Sequence, residues 1–76
     1  MTLPEHLPAA PDMLPAHVID NHTHLGSTTE YSGLGVEESL TAAGLAGVAG
    51  VVDVGCDLPS SRAAAQLAAT DPRVRA

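Results

Sequence analysis

Apolar residues fall into short blocks separated by glycine, proline and polar clusters, and the period inside the blocks alternates between that of a strand and that of a helix. The Val18-Ile19 pair predicts a short strand over residues 16–21, its apolar part buried on both faces as in a parallel sheet. Residues 25–34 are polar, contain glycine and predict a loop longer than a minimal turn, of the length that carries function. Val36, Leu40, Ala43 and Gly47 recur at helical spacing, Gly35 suits an N-cap, and Glu37 and Glu38 place negative charge in a first turn; together they predict a helix over residues 36–46. Gly47 suits the C-terminal cap of that helix, and Gly44 would permit close packing on a sheet. Residues 50–55 are rich in β-branched side chains and too short for a helix, which predicts a second strand. Asp57, Pro59 and Ser60 are helix-start residues, and Ala64, Leu67 and Ala68 line one side of an alanine-rich helix predicted over residues 62–70. Asp71-Pro72 stops it, and residues 73–76 predict the start of a third strand.

Strand, helix, strand, helix, strand start is the order of βαβ units, so the fold class is α/β with a parallel sheet and right-handed crossovers. Two and a half strands do not close a barrel, and a (β/α)8 barrel takes about 250 residues. The expectation is therefore an incomplete TIM barrel. Residues 16–76 would be its N-terminal βαβα(β) portion, the first two βα units and the start of the third strand, behind a flexible proline-rich leader over residues 1–15.

Composition limits what such a chain does alone. A chain of 76 residues fits one small domain at most, and domains near that size bury only about 60% of the surface their unfolded chains expose. There is no Phe or Trp, and Tyr31 is the only aromatic residue, so few large side chains are available for a core. The net charge is −6, and the only basic residues, Arg62, Arg73 and Arg75, lie near the C-terminal end. No basic patch exists for a nucleic-acid backbone, so any phosphate would have to be held through a metal cation or through residues that this chain does not contain. The leader has four prolines, the acidic Glu5 and no continuous apolar run, which argues against a signal peptide or a membrane span. Cys56 is the single cysteine and has no disulfide partner, which suits a reducing compartment; the expected location is cytoplasmic.

The candidate chemistry lies at His22-Thr23-His24, directly after the first strand's apolar residues. Residues two apart on a strand point the same way, so both imidazoles can converge on one ion. Asp20 shares their parity and is placed to accept an imidazole N–H and fix which ring nitrogen faces a metal. The spacing alone is a weak signal, since four histidines in 76 residues produce it by chance, and a solvated or hydrogen-bonded pair is the structural alternative. Asp53, inside the second strand, reads as a carboxylate with a structural partner rather than a catalytic one. Cys56 reads as a small buried filler and Asp57 as a helix cap. His6 and His17 read as solvent-exposed, and Glu37 and Glu38 as helix-start charges rather than an acid/base pair.

The segment VIDNHTHL, a helix ending in AGLAGVAG, then VVDVGCDLPSSRAAAQLA and DPRVRA resemble the N-terminal quarter of the TatD-related metal-dependent hydrolases. These are TIM barrels of the amidohydrolase superfamily, several of which are deoxyribonucleases. The His-x-His is shared across that superfamily. The run Val54-Gly55-Cys56-Asp57-Leu58, followed by Ser-Ser-Arg-Ala and Pro-x-Val, is more specific to the TatD branch. The resemblance implies that His22 and His24 bind the first of two divalent metal ions, with zinc, magnesium and manganese not distinguished. It also implies a phosphodiester substrate, DNA among them, for the complete protein. The family's later ligands, a glutamate, further histidines and an aspartate, have no counterpart here, so this chain alone is expected to bind metal weakly and to be inactive, its catalytic residues unknown. Gly26 departs from the aspartate that family members often carry after the His-x-His-Leu run. Two other readings stand beside this one. The first is a superfamily member that cleaves an amide or ester bond; the second is a small non-catalytic α/β protein with an incidental histidine pair.

Overall fold

The computed structural model describes residues 4–76. In chain order the elements are β1 (Val18–Thr23), α1 (Leu25–Ser32), α2 (Val36–Leu45), β2 (Val48–Asp53), α3 (Leu58–Thr70) and β3 (Val74–Arg75). The strands form one sheet in the order β1-β2-β3, and both pairings are parallel. Each crossover advances one strand in the same direction, so right-handed connections place both sets of helices on one face of the sheet. The smallest principal extent, 18 Å, fits one sheet and one helical layer.

The core forms where β2 and β3 meet the helices. Val51 and Val74 lie opposite each other in the ladder and are 4% and 0% exposed. Leu25 of α1 and Leu40 of α2 join them, with Val36, Val48, Leu67 and Ala68 packed around the cluster. The predicted helical faces are the ones used: Leu40 and Ala64 are buried, and Val36, Leu67 and Ala68 support them. Arg73 ties the start of β3 to α2 through 2.7 Å contacts with both Glu37 and Asp71.

Three expectations are corrected. Residues 25–34 are not a loop, because residues 25–32 form α1. Gly26, Thr28 and Thr29 are poor helix formers, so α1 owes its existence to tertiary contacts. The Leu25 side chain is buried, the Leu25 N–H donates to Asp53 Oδ1 at 3.0 Å, and Gly33, at φ 75°, closes the last turn by donating to the Thr29 carbonyl. The apolar part of β1 is not buried on both faces: Val18 is 43% exposed and Ile19 is 61% exposed. β1 is an edge strand, and burial on two faces requires layers on both sides of the sheet. Gly44 is exposed and packs on nothing within 4 Å of where a Cβ would lie.

Boundaries move for identifiable reasons. Gly47, at φ 97°, turns the chain just after α2, so β2 starts at Val48 rather than residue 50. It ends at Asp53, whose side chain is drawn to the N-terminus of α1. α3 starts at Leu58 because Asp57 Oδ1 accepts the Ser60 N–H at 2.9 Å, with Pro59 in the first turn where its missing N–H has no helical partner to lose. A Cβ on Gly55 would lie 2.6 Å from Ser61 Cα, so the β2–α3 turn closes only over a glycine.

Candidate metal centre

β1 delivers His22 and His24 to its C-terminal end. The imidazole centroids are 5.0 Å apart with an interplanar angle of 81°, so the rings share one side of the chain in an edge-to-face arrangement. Both line an open cleft of about 570 Å³ together with Asp20, Ser27, Thr28 and Tyr31.

The Nδ1 hydrogen of His24 follows from its partner. Nδ1 lies 2.9 Å from the Val54 carbonyl oxygen, which only accepts, so Nδ1 carries a hydrogen, and in the tautomer this selects the lone pair belongs to Nε2. A backbone carbonyl that fixes tautomer and ring orientation in this way is the usual support of a metal-binding histidine. The support comes from the residue just past β2, where the Val54 N–H also donates to the Thr23 carbonyl at 2.8 Å. Thr23 Oγ1 adds a bond to the Val52 carbonyl at 2.9 Å. The end of β1 that holds the histidines is thus stitched to β2 by three hydrogen bonds.

Asp20 lines the same cleft but does not orient an imidazole. Its Oδ1 accepts the backbone N–H of His22 at 3.1 Å. The ladder between β1 and β2 is irregular between Asp20 and Thr23, and a short carboxylate beside such a break readily takes a main-chain donor two residues on. The support expected from Asp20 comes instead from the Val54 carbonyl, a backbone atom that no side-chain pattern reveals.

The other candidates separate cleanly. Asp53 has a structural partner, the Leu25 N–H, and places its charge at the positive end of α1. Asp57 caps α3, and its carboxyl is held below the usual range by the Ser60 hydroxyl first and the Ser60 N–H second. Cys56 is exposed rather than a buried filler, because the β2–α3 turn lifts it out of the sheet; its Sγ lies 3.7 Å from His24 Nδ1, a neighbour remote in sequence. His6 and His17 are exposed, and His6 Nε2 donates to the Ser32 carbonyl at 2.8 Å. Glu38 accepts the Gly35 N–H and Glu37 pairs with Arg73, so neither faces the cleft as an acid or base.

As a donor set, two imidazoles with one lone pair already aimed by its support suit a divalent ion of the zinc type as part of its coordination. Among the described residues no group of three or more His, Cys, Asp or Glu side chains is gathered to complete a shell. No helix among them is long and apolar enough to cross a membrane. Comparison with protein-family models, with curated proteins and with solved structures gave no match.

Proposed function

We propose that the three parallel strands are the opening units of a (β/α)8 barrel, and that His22 and His24 are two ligands of a divalent metal ion in a TatD-like hydrolase acting on phosphodiesters. The observation that carries the reading is the Nδ1–H bond from His24 to the Val54 carbonyl, which leaves Nε2 as the free donor of a ring whose centroid lies 5.0 Å from that of His22. Its position supports it too, since barrel active sites gather at the C-terminal ends of parallel strands and the pair lies there. A bound ion would supply activation of water and charge stabilisation at phosphate oxygens. The chain's own residues hold and orient: Val54 fixes the His24 tautomer, and Asp53 anchors the helix that follows the pair. The net charge of −6 fits a site that meets phosphate through a cation rather than through arginines.

Calorimetric titration with zinc tests this. The expected result is one weak site whose affinity falls by at least about tenfold in both His22→Ala and His24→Ala. His17→Ala and Cys56→Ala should leave it in place. Zinc binding indifferent to both His22 and His24 overturns the metal reading. A panel of single-stranded DNA, amide and ester substrates, with zinc, magnesium or manganese, distinguishes the phosphodiester reading from amide or ester cleavage in any form of the protein that shows turnover.

A further inference from the structure

We propose that residues 4–17, the proline-rich stretch before β1, form a wall of the His22–His24 cleft, latched by His6, and that Leu7 on this wall limits the size of ligand that reaches the half-buried His24. The segment is attached at two places. Near β1, the Leu14 N–H donates to the Ala46 carbonyl at 2.9 Å and the Val18 N–H to the Gly47 carbonyl at 3.0 Å. The fit there is close: a Cβ on Gly47 would lie 3.1 Å from Leu14 Cβ and 3.3 Å from Leu14 N. At the other end, His6 Nε2–H donates to the carbonyl of Ser32, the last residue of α1, at 2.8 Å. A turn closed by the Leu7 N–H on the Pro4 carbonyl, 3.1 Å, then sets Leu7 against the cleft that His22 and His24 line.

Pro8 and Pro11 lie between the two attachments. Proline fixes φ and favours extended backbone of about 3.1 Å per residue, so the segment is a stiff strap that resists collapse into the space beneath it. The cleft of about 570 Å³ is in the size range of small-molecule sites, and Leu7 and Tyr31 are its large apolar lining residues. One exposed hydrogen bond holds the far end, so the latch is tunable; His22 stays exposed in the open cleft, and the wall restricts bulky ligands only in their approach to the half-buried His24. The role of this wall in ligand choice rests on the reading of the cleft as a metal-dependent site; its existence as a gate does not.

Imidazole acylation by diethyl pyrocarbonate, located at each histidine by fragment-ion mass spectrometry, tests the gate without a metal. His17, exposed and outside the cleft lining, is the internal reference. In His6→Ala, acylation at the half-buried His24 relative to His17 should rise by about threefold, the worth of one solvent-exposed hydrogen bond. His6→Gln, which keeps an N–H donor, should restore most of the protection. Leu7→Ala should raise acylation at His24 with the latch intact. Unchanged ratios in both His6→Ala and Leu7→Ala overturn the proposal; circular dichroism confirms that each variant keeps its fold. A parallel set with zinc keeps the two ideas apart: absence of zinc protection in the wild type sinks the metal reading and leaves the gate standing.

Discussion

β1 and β2 lie side by side in one sheet and are built in opposite ways. β2 is paired on both edges, and its Val51 is sealed under the helices. β1 is paired on one edge, leaves Val18 and Ile19 exposed, and has an irregular ladder at Asp20. The candidate site belongs to the second kind of strand. His22 and His24 stand where few apolar contacts hold the backbone, and they are positioned by hydrogen bonds borrowed from residues 52–54. Stability and site are therefore divided between neighbours: β2 gives the fold its core and lends β1 its geometry.

The largest effect that tests this division is on stability. Leu40→Ala empties part of the cluster formed with Leu25, Val51 and Val74, and such truncations cost about 2–5 kcal/mol. Stabilities of about 0.05–0.15 kcal/mol per residue make that a large share of the total for a chain of this size. Urea unfolding followed by circular dichroism should show the transition displaced far to low denaturant or lost. Ile19→Ala, an equal truncation in hydrocarbon terms but on an exposed site of β1, should change stability by no more than about 0.5 kcal/mol. Similar losses from both would mean that β1 is as much a part of the core as β2.

What the sequence disclosed follows the same division. Helix faces, strand order and parallel pairing were legible because Leu40, Ala64, Leu67 and Ala68 recur at helical spacing and because the stretch between Gly50 and Gly55 is rich in β-branched residues. Asp57 as the cap of α3 and Asp53 as a paired carboxylate were legible because carboxylates in those settings have few other uses. α1 was not. Its Thr28, Thr29 and Gly26 argue locally against a helix, and the donor–acceptor pair that starts it spans residues 25 and 53. Gly33 at its C-terminus was the one local signal available. The support of His24 by a carbonyl and the approach of Cys56 were hidden for the same reason: both are tertiary, and one involves only backbone.

An intermediate effect should appear at the link between the two strands. Asp53→Ala removes the carboxylate that accepts the Leu25 N–H and leaves the first turn of α1 without that partner. Loss of a capping carboxylate costs about 1 kcal/mol, and here the loss is local to the helix that follows the histidines. Amide hydrogen exchange should therefore accelerate at residues 28–33 while the amides of β2 and α3 keep their relative order. Asp53→Asn, which retains a carbonyl acceptor, should recover most of the protection. Uniform acceleration across all elements would show that α1 is not a separable unit and that the line between the two regions is drawn in the wrong place.

The smallest effect lies on the core side, at the clamp of Arg73 on Asp71 and Glu37. Asp71 is held at a pKa of about 2, against an ordinary value of 3.8, chiefly by the Arg73 side-chain hydrogen bond and then by the Arg73 N–H. Arg73 is raised by the same pairing and stays charged throughout the accessible range. Because the folded chain releases the Asp71 proton more readily than the unfolded one, this contribution is complete above about pH 4 and is lost as pH falls toward about 2. Asp71→Asn should thus be less stable than wild type at neutral pH, and the two denaturation midpoints should converge between about pH 4 and pH 2. The clamp is partly solvated, so 0.5 M salt should narrow the neutral-pH gap. The zinc titration of His22 and His24 should be unchanged in Asp71→Asn, since no residue of the clamp lines their cleft; a weakened titration would show that the end of the sheet holding β3 is coupled to the histidines after all.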